Sequence, residues 1–143
     1  MSNDYVKIAR LKDVSAFRER LEELGLELPV DDEALTAAAG SPLAEPIEVS
    51  GVTVGNRWCI HPMEGWDANR DGSPTEYTIR RWRNFGLSGA KLIWGGEAAA
   101  VQSDGRANPN QTLATLENED GLRQLLTTLN DAHVESFGST DDL

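Results

Sequence analysis

The sequence has little of what a disulfide-stabilised, nucleic-acid-binding or membrane protein needs. Cys59 is its single cysteine, which excludes an intramolecular disulfide framework and a thiolate zinc cluster. Only 13 Lys and Arg stand against 24 Asp and Glu, and the formal charge of −11 opposes binding to phosphate backbones. No apolar run approaches the roughly 18 residues of a membrane span, and no signal-peptide core is visible. We therefore expect a cytoplasmic protein without nucleic-acid or membrane partners.

What is present is typical of a folded domain. Apolar residues make up 39% and charged residues 26% of the 143 residues, close to globular averages. Cys59 lies in the apolar run 58–60 and is interpreted as a buried structural thiol rather than a nucleophile. The basic residues are dispersed, and the group Arg80, Arg81 and Arg83 is interpreted as the solvated face of a helix.

Residues 1–46 are predicted to form an N-terminal helical extension. Asp13 is a good N-cap for a helix from Val14 to Leu24, whose apolar residues recur at three- and four-residue steps before Gly25. A weaker helix is predicted over residues 32–39, ending at Gly40 and the Ser41-Pro42 breaker.

Residues 47–143 are predicted to form an α/β unit. Alternating apolar residues over 47–54 indicate a β-hairpin, residues 58–60 indicate a buried strand, and residues 90–94 indicate a second short strand. Between them, Ser73-Pro74-Thr75-Glu76 matches a capping box that begins a helix, and leucines predict a final helix over 119–135. This order implies a parallel sheet, and two strands alone leave edges unpaired, so we expect part of a larger fold.

The polar loop after the first of these strands is the candidate site, because loops at the carboxyl ends of parallel strands hold the sites of α/β proteins. From the residues alone, His61, Glu64 and Asp67 suit metal ligation or acid–base chemistry, while an ordinary polar loop remains the favoured interpretation. His133, on the predicted final helix, is interpreted as structural.

A set of short motifs in fixed order gives the sequence a family resemblance. Between Gly55 and Gln111 the chain resembles the start of the Old Yellow Enzyme family of flavin-dependent NADH oxidoreductases. The matching motifs are Asn56-Arg57, Pro62-Met63, Asp71-Gly72-Ser73-Pro74-Thr75, Glu97-Ala98, Gly105-Arg106 and Gln111. The resemblance implies the first two βα units of a (β/α)8 TIM barrel that binds FMN at its mouth.

The resemblance also implies which residues contact the cofactor. Five would lie against the isoalloxazine ring: His61, Pro62, Met63, Glu64 and Ala98. Trp66 falls where family members place an aromatic near the substrate, and a packing tryptophan is an equal alternative. No catalytic residue and no metal ligand is predicted.

Two departures limit what the resemblance implies. Family members place a threonine or cysteine where Glu64 stands, and a carboxylate there disfavours the anionic reduced flavin unless it is protonated or paired. Contact of Glu64 with the substrate is the alternative. The family's proton donor, substrate histidines and phosphate site come from later strands, and the chain ends about where the third strand is expected. We therefore expect a segment that is inactive alone, within an enzyme that takes hydride from NADH or NADPH.

Two kinds of partner follow from these expectations. The remainder of the barrel, a complementing chain or a second copy would cover the exposed strands and helix faces. The alternative function is a non-catalytic interaction module or split-barrel subunit that requires a partner chain.

Overall fold

A computed structural model of the chain describes residues 5–143, so residues 1–4 of the predicted extension lie outside the described residues. The fold is mixed α/β, with three helices and two small sheets, and the described residues form no closed barrel. The α/β class is confirmed. The elements in chain order are α1 (Val14–Leu24), β1 (Ile47–Val49), β2 (Val52–Val54), β3 (Cys59–Ile60), α2 (Glu76–Leu87), β4 (Leu92–Ile93) and α3 (Glu119–Phe137).

Helix α1 confirms the predicted first helix at both ends. Asp13 Oδ1 accepts the Ala16 amide hydrogen at 2.8 Å, and Gly25 ends the helix in the left-handed conformation, with φ 64°. The predicted helix over 32–39 is wrong, since only a 3-10 turn, Ala37–Ala39, forms there. Asp32 binds Arg18 of α1 instead of capping, and so short a segment does not offset the cost of helix nucleation.

The predicted hairpin is confirmed as the antiparallel pair β1 and β2. Its two-residue turn consists of Ser50 and Gly51, and both have positive φ angles, 51° and 82°. A type I′ turn requires this geometry, and its twist matches that of the flanking strands. Ile47 therefore pairs with Val54 at the open end of the hairpin.

Strands β3 and β4 form a second, parallel sheet, as the pattern predicted, although both are shorter than predicted and β3, predicted to be buried, is only half-buried. Cys59 pairs with Leu92 and Ile60 with Ile93, and the Trp94 amide donates to the Ile60 carbonyl at 2.8 Å. Helix α2 supplies the crossover between the strands. Cys59 is only half-buried, since neither the hairpin nor the helices fully cover its face of the sheet.

Helices α2 and α3 pack closely together and supply part of the core. Leu125, Leu129 and Ala132 of α3 are buried, and Gly86 of α2 lets the helix backbones approach closely. None of the helices described over residues 5–143 is both long and apolar enough to cross a membrane.

The start of α2 corrects the predicted capping box. The N-cap is Thr75, whose Oγ1 accepts from the amides of Tyr77 and Thr78, while the Thr78 hydroxyl accepts from the Thr75 amide. Ser73 was predicted as N-cap, but its amide and hydroxyl both donate to Asp71 Oδ1. Both donor groups of Ser73 are therefore used in a turn that precedes the helix.

His133 is a structural residue, as predicted. It is fully buried on α3, and its Nδ1 lies 3.0 Å from the Gly86 carbonyl oxygen. Because a carbonyl only accepts, Nδ1 is the donor, and Nε2 accepts from Lys91 Nζ at 2.8 Å. Lys91 also pairs with Asp142 at 2.7 Å, and its hydrogen bond holds the pKa of Asp142 below its usual range.

Candidate functional site

The candidate site is built from two loops that follow the parallel strands. We call residues 61–67, after β3, the first loop, and residues 94–100, after β4, the second loop. Because parallel neighbours end at the same edge of a sheet, the two loops lie side by side. The Ala98 amide donates to the Met63 carbonyl oxygen at 3.2 Å. The structure thus brings together the two segments predicted to approach the flavin.

The residues predicted to contact the ring are open to solvent. His61, Pro62, Met63 and Glu64 are all exposed, and Met63 keeps 68% of its surface accessible. Glu64 and the partly buried Ala98 line one open cleft of about 430 Å³. Gln111, the last residue of the family motif, lines the same cleft.

Hydrogen bonding inside the two loops decides which backbone groups can meet a ligand. The Ala98 amide is used by Met63, and its carbonyl accepts from Gln111 Nε2 at 2.7 Å. Gln111 is fixed in turn, because its Oε1 accepts from the Ala107 amide at 2.7 Å. The amides of Met63 and Glu64, by contrast, have no hydrogen-bond partner within residues 5–143. Ala98 therefore offers only its small side chain, while the first loop offers two adjacent donors.

Trp66 is fixed at the end of the first loop by Glu64. The Trp66 Nε1 hydrogen is donated to Glu64 Oε2 at 2.8 Å, and both side chains are exposed. Trp66 has a φ of 51°, a left-handed conformation that is uncommon for a bulky side chain. Strained backbone of this kind concentrates at ligand sites.

A partly buried ionic cluster lies beneath both loops, and we call its side chains Asp67, Arg81 and Glu97 the clasp. Arg81 Nη2 lies 2.8 Å from Asp67 Oδ1 and 2.7 Å from Glu97 Oε2, although the second contact lies off the hydrogen-bonding direction. The Glu97 side chain is 3% exposed, and its Oε1 accepts from the Gly65 amide at 3.1 Å. The clasp thus joins the first loop, α2 and the second loop.

The clasp shifts the pKa values of Asp67 and Arg81. Partial burial raises the pKa of Asp67, but hydrogen bonds from Arg81 and Thr78 more than offset this and leave it below its usual range. Burial lowers the pKa of Arg81, and its two carboxylate partners reverse that shift, so the pKa lies above its ordinary value. The guanidinium is therefore permanently charged.

Arg81 is the main residue that the sequence interpretation placed wrongly. Arg80 and Arg83 are exposed as predicted, but the Arg81 side chain is only 21% exposed and lies inside the clasp. Its partners are 14 and 16 positions away along the chain (81 − 67 and 97 − 81), beyond the reach of any local pattern.

The metal-site alternative has no geometric support in the described chain. Asp67 is occupied by Arg81, which removes it from any set with His61 and Glu64. Over residues 5–143, no group of three or more His, Cys, Asp and Glu side chains is arranged to hold a metal ion.

No protein-family model matches the chain, and no curated protein shows significant similarity to it. The resemblance to flavin barrels therefore remains a prediction from the motifs.

Proposed function

We propose that residues 47–143 form the first two βα units of an FMN-dependent NAD(P)H oxidoreductase barrel and supply one wall of its flavin site. The observation that most supports this proposal is the contact between Met63 and Ala98 across the two loops. It joins, at the carboxyl ends of neighbouring parallel strands, the two segments that the family motifs assign to the ring. Bound FMN would supply hydride transfer from NADH or NADPH to an acceptor.

The residues present fit the flavin ring better than its phosphate. The free amides of Met63 and Glu64 suit the acceptor atoms at the edge of an isoalloxazine, and the small Ala98 allows close approach. None of the residues that line this cleft in the described chain is Lys or Arg. Trp66 is proposed to lie near the substrate, held there by Glu64.

The two-stranded sheet and the Glu64 carboxylate determine what we expect of the chain by itself. Two strands provide one wall, so we propose that this segment is inactive without the remaining strands and acts in the cytoplasm. Glu64 places a carboxylate beside the proposed ring and disfavours the anionic reduced form.

The proposal is tested by titrating the ¹⁵N-labelled chain with FMN and with riboflavin, which lacks the phosphate. We expect millimolar binding, with amide shifts confined to Met63, Glu64 and residues 98–101. The two ligands should bind with similar affinity because the wall contacts only the ring. Inorganic phosphate is the control and should shift none of these amides. Absence of flavin-dependent shifts at the two loops would overturn the proposal.

A second candidate function, a non-catalytic split-barrel subunit, is favoured by an apolar groove between the hairpin and the face of the β3–β4 sheet. The groove holds about 250 Å³, and its lining residues are Ile47, Val49, Val54, Asn56, Arg57, Trp58, Cys59 and Leu92. Trp58 is 56% exposed, which is costly for so large an apolar side chain.

The two candidates differ in one joint measurement. Sedimentation velocity of the chain and of Trp58→Ser, together with the flavin titration, separates them. Association that depends on Trp58 without any flavin response would favour the subunit function. Flavin shifts in a monomeric chain would favour the oxidoreductase.

A further inference from the structure

The Glu97 carboxylate of the clasp is far more deeply buried than the carboxylate of a surface ion pair. Glu97 is almost fully buried, and its two carboxylate oxygens have different partners, the Gly65 amide and the Arg81 guanidinium. Burying a carboxylate this deeply is costly unless both hydrogen bonding and charge pairing compensate it. The Glu97 side chain, which comes from the second loop, thus holds the first loop against the second.

Gly65 shows how closely the guanidinium approaches the first loop. A Cβ at this position would stand 1.9 Å from Arg81 Nη2 and 2.9 Å from Asp67 Oδ1. Gly65 does not require glycine for a positive φ, so the requirement is space alone. A side chain here would separate the first loop from the clasp.

We infer that Glu97 is a positioning residue that fixes the first loop, so that the amides of Met63 and Glu64 stay free for a planar ligand. Glu97 fixes the amide of Gly65, one residue after these two donors, and the Met63 carbonyl is fixed one residue before Glu64 by Ala98. The peptide that carries the Glu64 amide is thus fixed on both sides, at the Met63 carbonyl and at the Gly65 amide. The role assigned to these donors rests on the proposed flavin site.

The chain offers a matched control for this inference. Arg83 of α2 pairs with Glu135 of α3 at 2.8 Å, the same kind of ion pair on the same helix. Those side chains are 46% and 64% exposed, and the pair joins the two helices rather than the loops. Glu135→Gln therefore removes the same charge without reaching the site.

The test compares Glu97→Leu, Glu97→Gln and Glu135→Gln in the full chain by residue-resolved amide hydrogen exchange and by riboflavin titration. In Glu97→Leu we expect exchange at Gly65 to accelerate about tenfold and riboflavin to bind about tenfold more weakly. Glu97→Gln keeps one acceptor oxygen and should give intermediate values for both. Glu135→Gln should match the wild type.

Each possible result either supports or overturns the inference. Unchanged exchange at Gly65 in both Glu97 variants overturns it, and so does accelerated exchange with unaltered riboflavin affinity. If Glu97→Leu does not fold, the intermediate values of Glu97→Gln must still appear. If the wild-type chain shows no flavin shift, the proposed function fails, and exchange at Gly65 alone then decides whether Glu97 fixes the loop.

Discussion

Gly86 of α2 lies so close to Leu129 of α3 that a Cβ at position 86 would stand 2.2 Å from the Leu129 carbonyl oxygen. The obstacle is backbone rather than a flexible side chain, so the helices must move apart to admit a methyl group. The contact lies beside Leu125 and Ala132, which are buried in the same interface. Glycine at this position therefore sets the distance between the two helices.

Replacing Gly86 by alanine should lower the free energy of unfolding by about 2 kcal/mol, because overpacking outweighs the gain in helix propensity. Urea denaturation followed by circular dichroism measures the change. Gly105→Ala is the control, since its Cβ would meet nothing within 4 Å and the residue has no positive φ. Equal stability of the two variants would show that the helices are not in close contact at Gly86.

Thr75 rather than Ser73 should dominate the stability of α2. Thr75→Ala removes the oxygen that accepts the Tyr77 and Thr78 amides, and we expect a loss of about 1–2 kcal/mol. Ser73→Ala removes only the exposed hydrogen bonds that the Ser73 hydroxyl makes with Asp71 and Asn69, and it should cost less than about 1 kcal/mol. Thermal unfolding of the two variants ranks them, and the reverse order would restore the original capping-box prediction.

Stability should fall as the solution is acidified, partly because of Asp67. Its pKa is lower in the folded chain than in the unfolded chain, so the stabilisation is complete above the ordinary aspartate value of about 3.9. It is lost as the pH falls through the lowered folded value. Asp67→Asn should therefore be less stable at neutral pH and lose less stability on acidification. Urea midpoints across the acid range measure this, with exposed Asp104→Asn as the control.

Replacement should destabilise the chain at His133 and have little effect at His61. His133→Leu leaves the Gly86 carbonyl and Lys91 without a buried partner, and we expect a loss of about 2 kcal/mol. His61 is exposed, and His61→Leu should change stability by less than about 0.5 kcal/mol. In the wild type, ¹⁵N shifts should report a proton on Nδ1, which donates to the Gly86 carbonyl. A ring protonated at Nε2 would contradict the assigned hydrogen bonds.

Local signals predicted the elements whose ends are determined locally. Asp13 and Gly25 define α1 because a cap needs only its neighbouring amides and carbonyls. The leucine stripe located α3, which begins at Glu119 as predicted and runs two residues further, to Phe137. The hairpin followed from Ser50-Gly51, since the turn geometry fixes the pairing.

The errors arose where distant residues decide the outcome. Ser73 looks like a cap in sequence, but the chain folds so that Thr75 also donates to the Asp67 carbonyl, which favours Thr75 at the helix start. Asp32 forms an ion pair with Arg18 instead of capping a helix. Arg81 is held in a partly buried position by ion pairs with two carboxylates from separate loops. Neither pairing follows a local pattern in the sequence, so the clasp is visible only in the three-dimensional structure.

The apolar groove has a consequence for how the molecule behaves in solution. A net charge of −11 makes copies of the chain repel one another at low ionic strength. The exposed apolar side chains of Trp58 and Leu92 favour association instead. At about 0.15 M salt the screening length falls to about 8 Å, shorter than the molecule is wide. We therefore expect colloidal stability to fall as salt is added, so that dilute, low-salt buffers preserve the chain best.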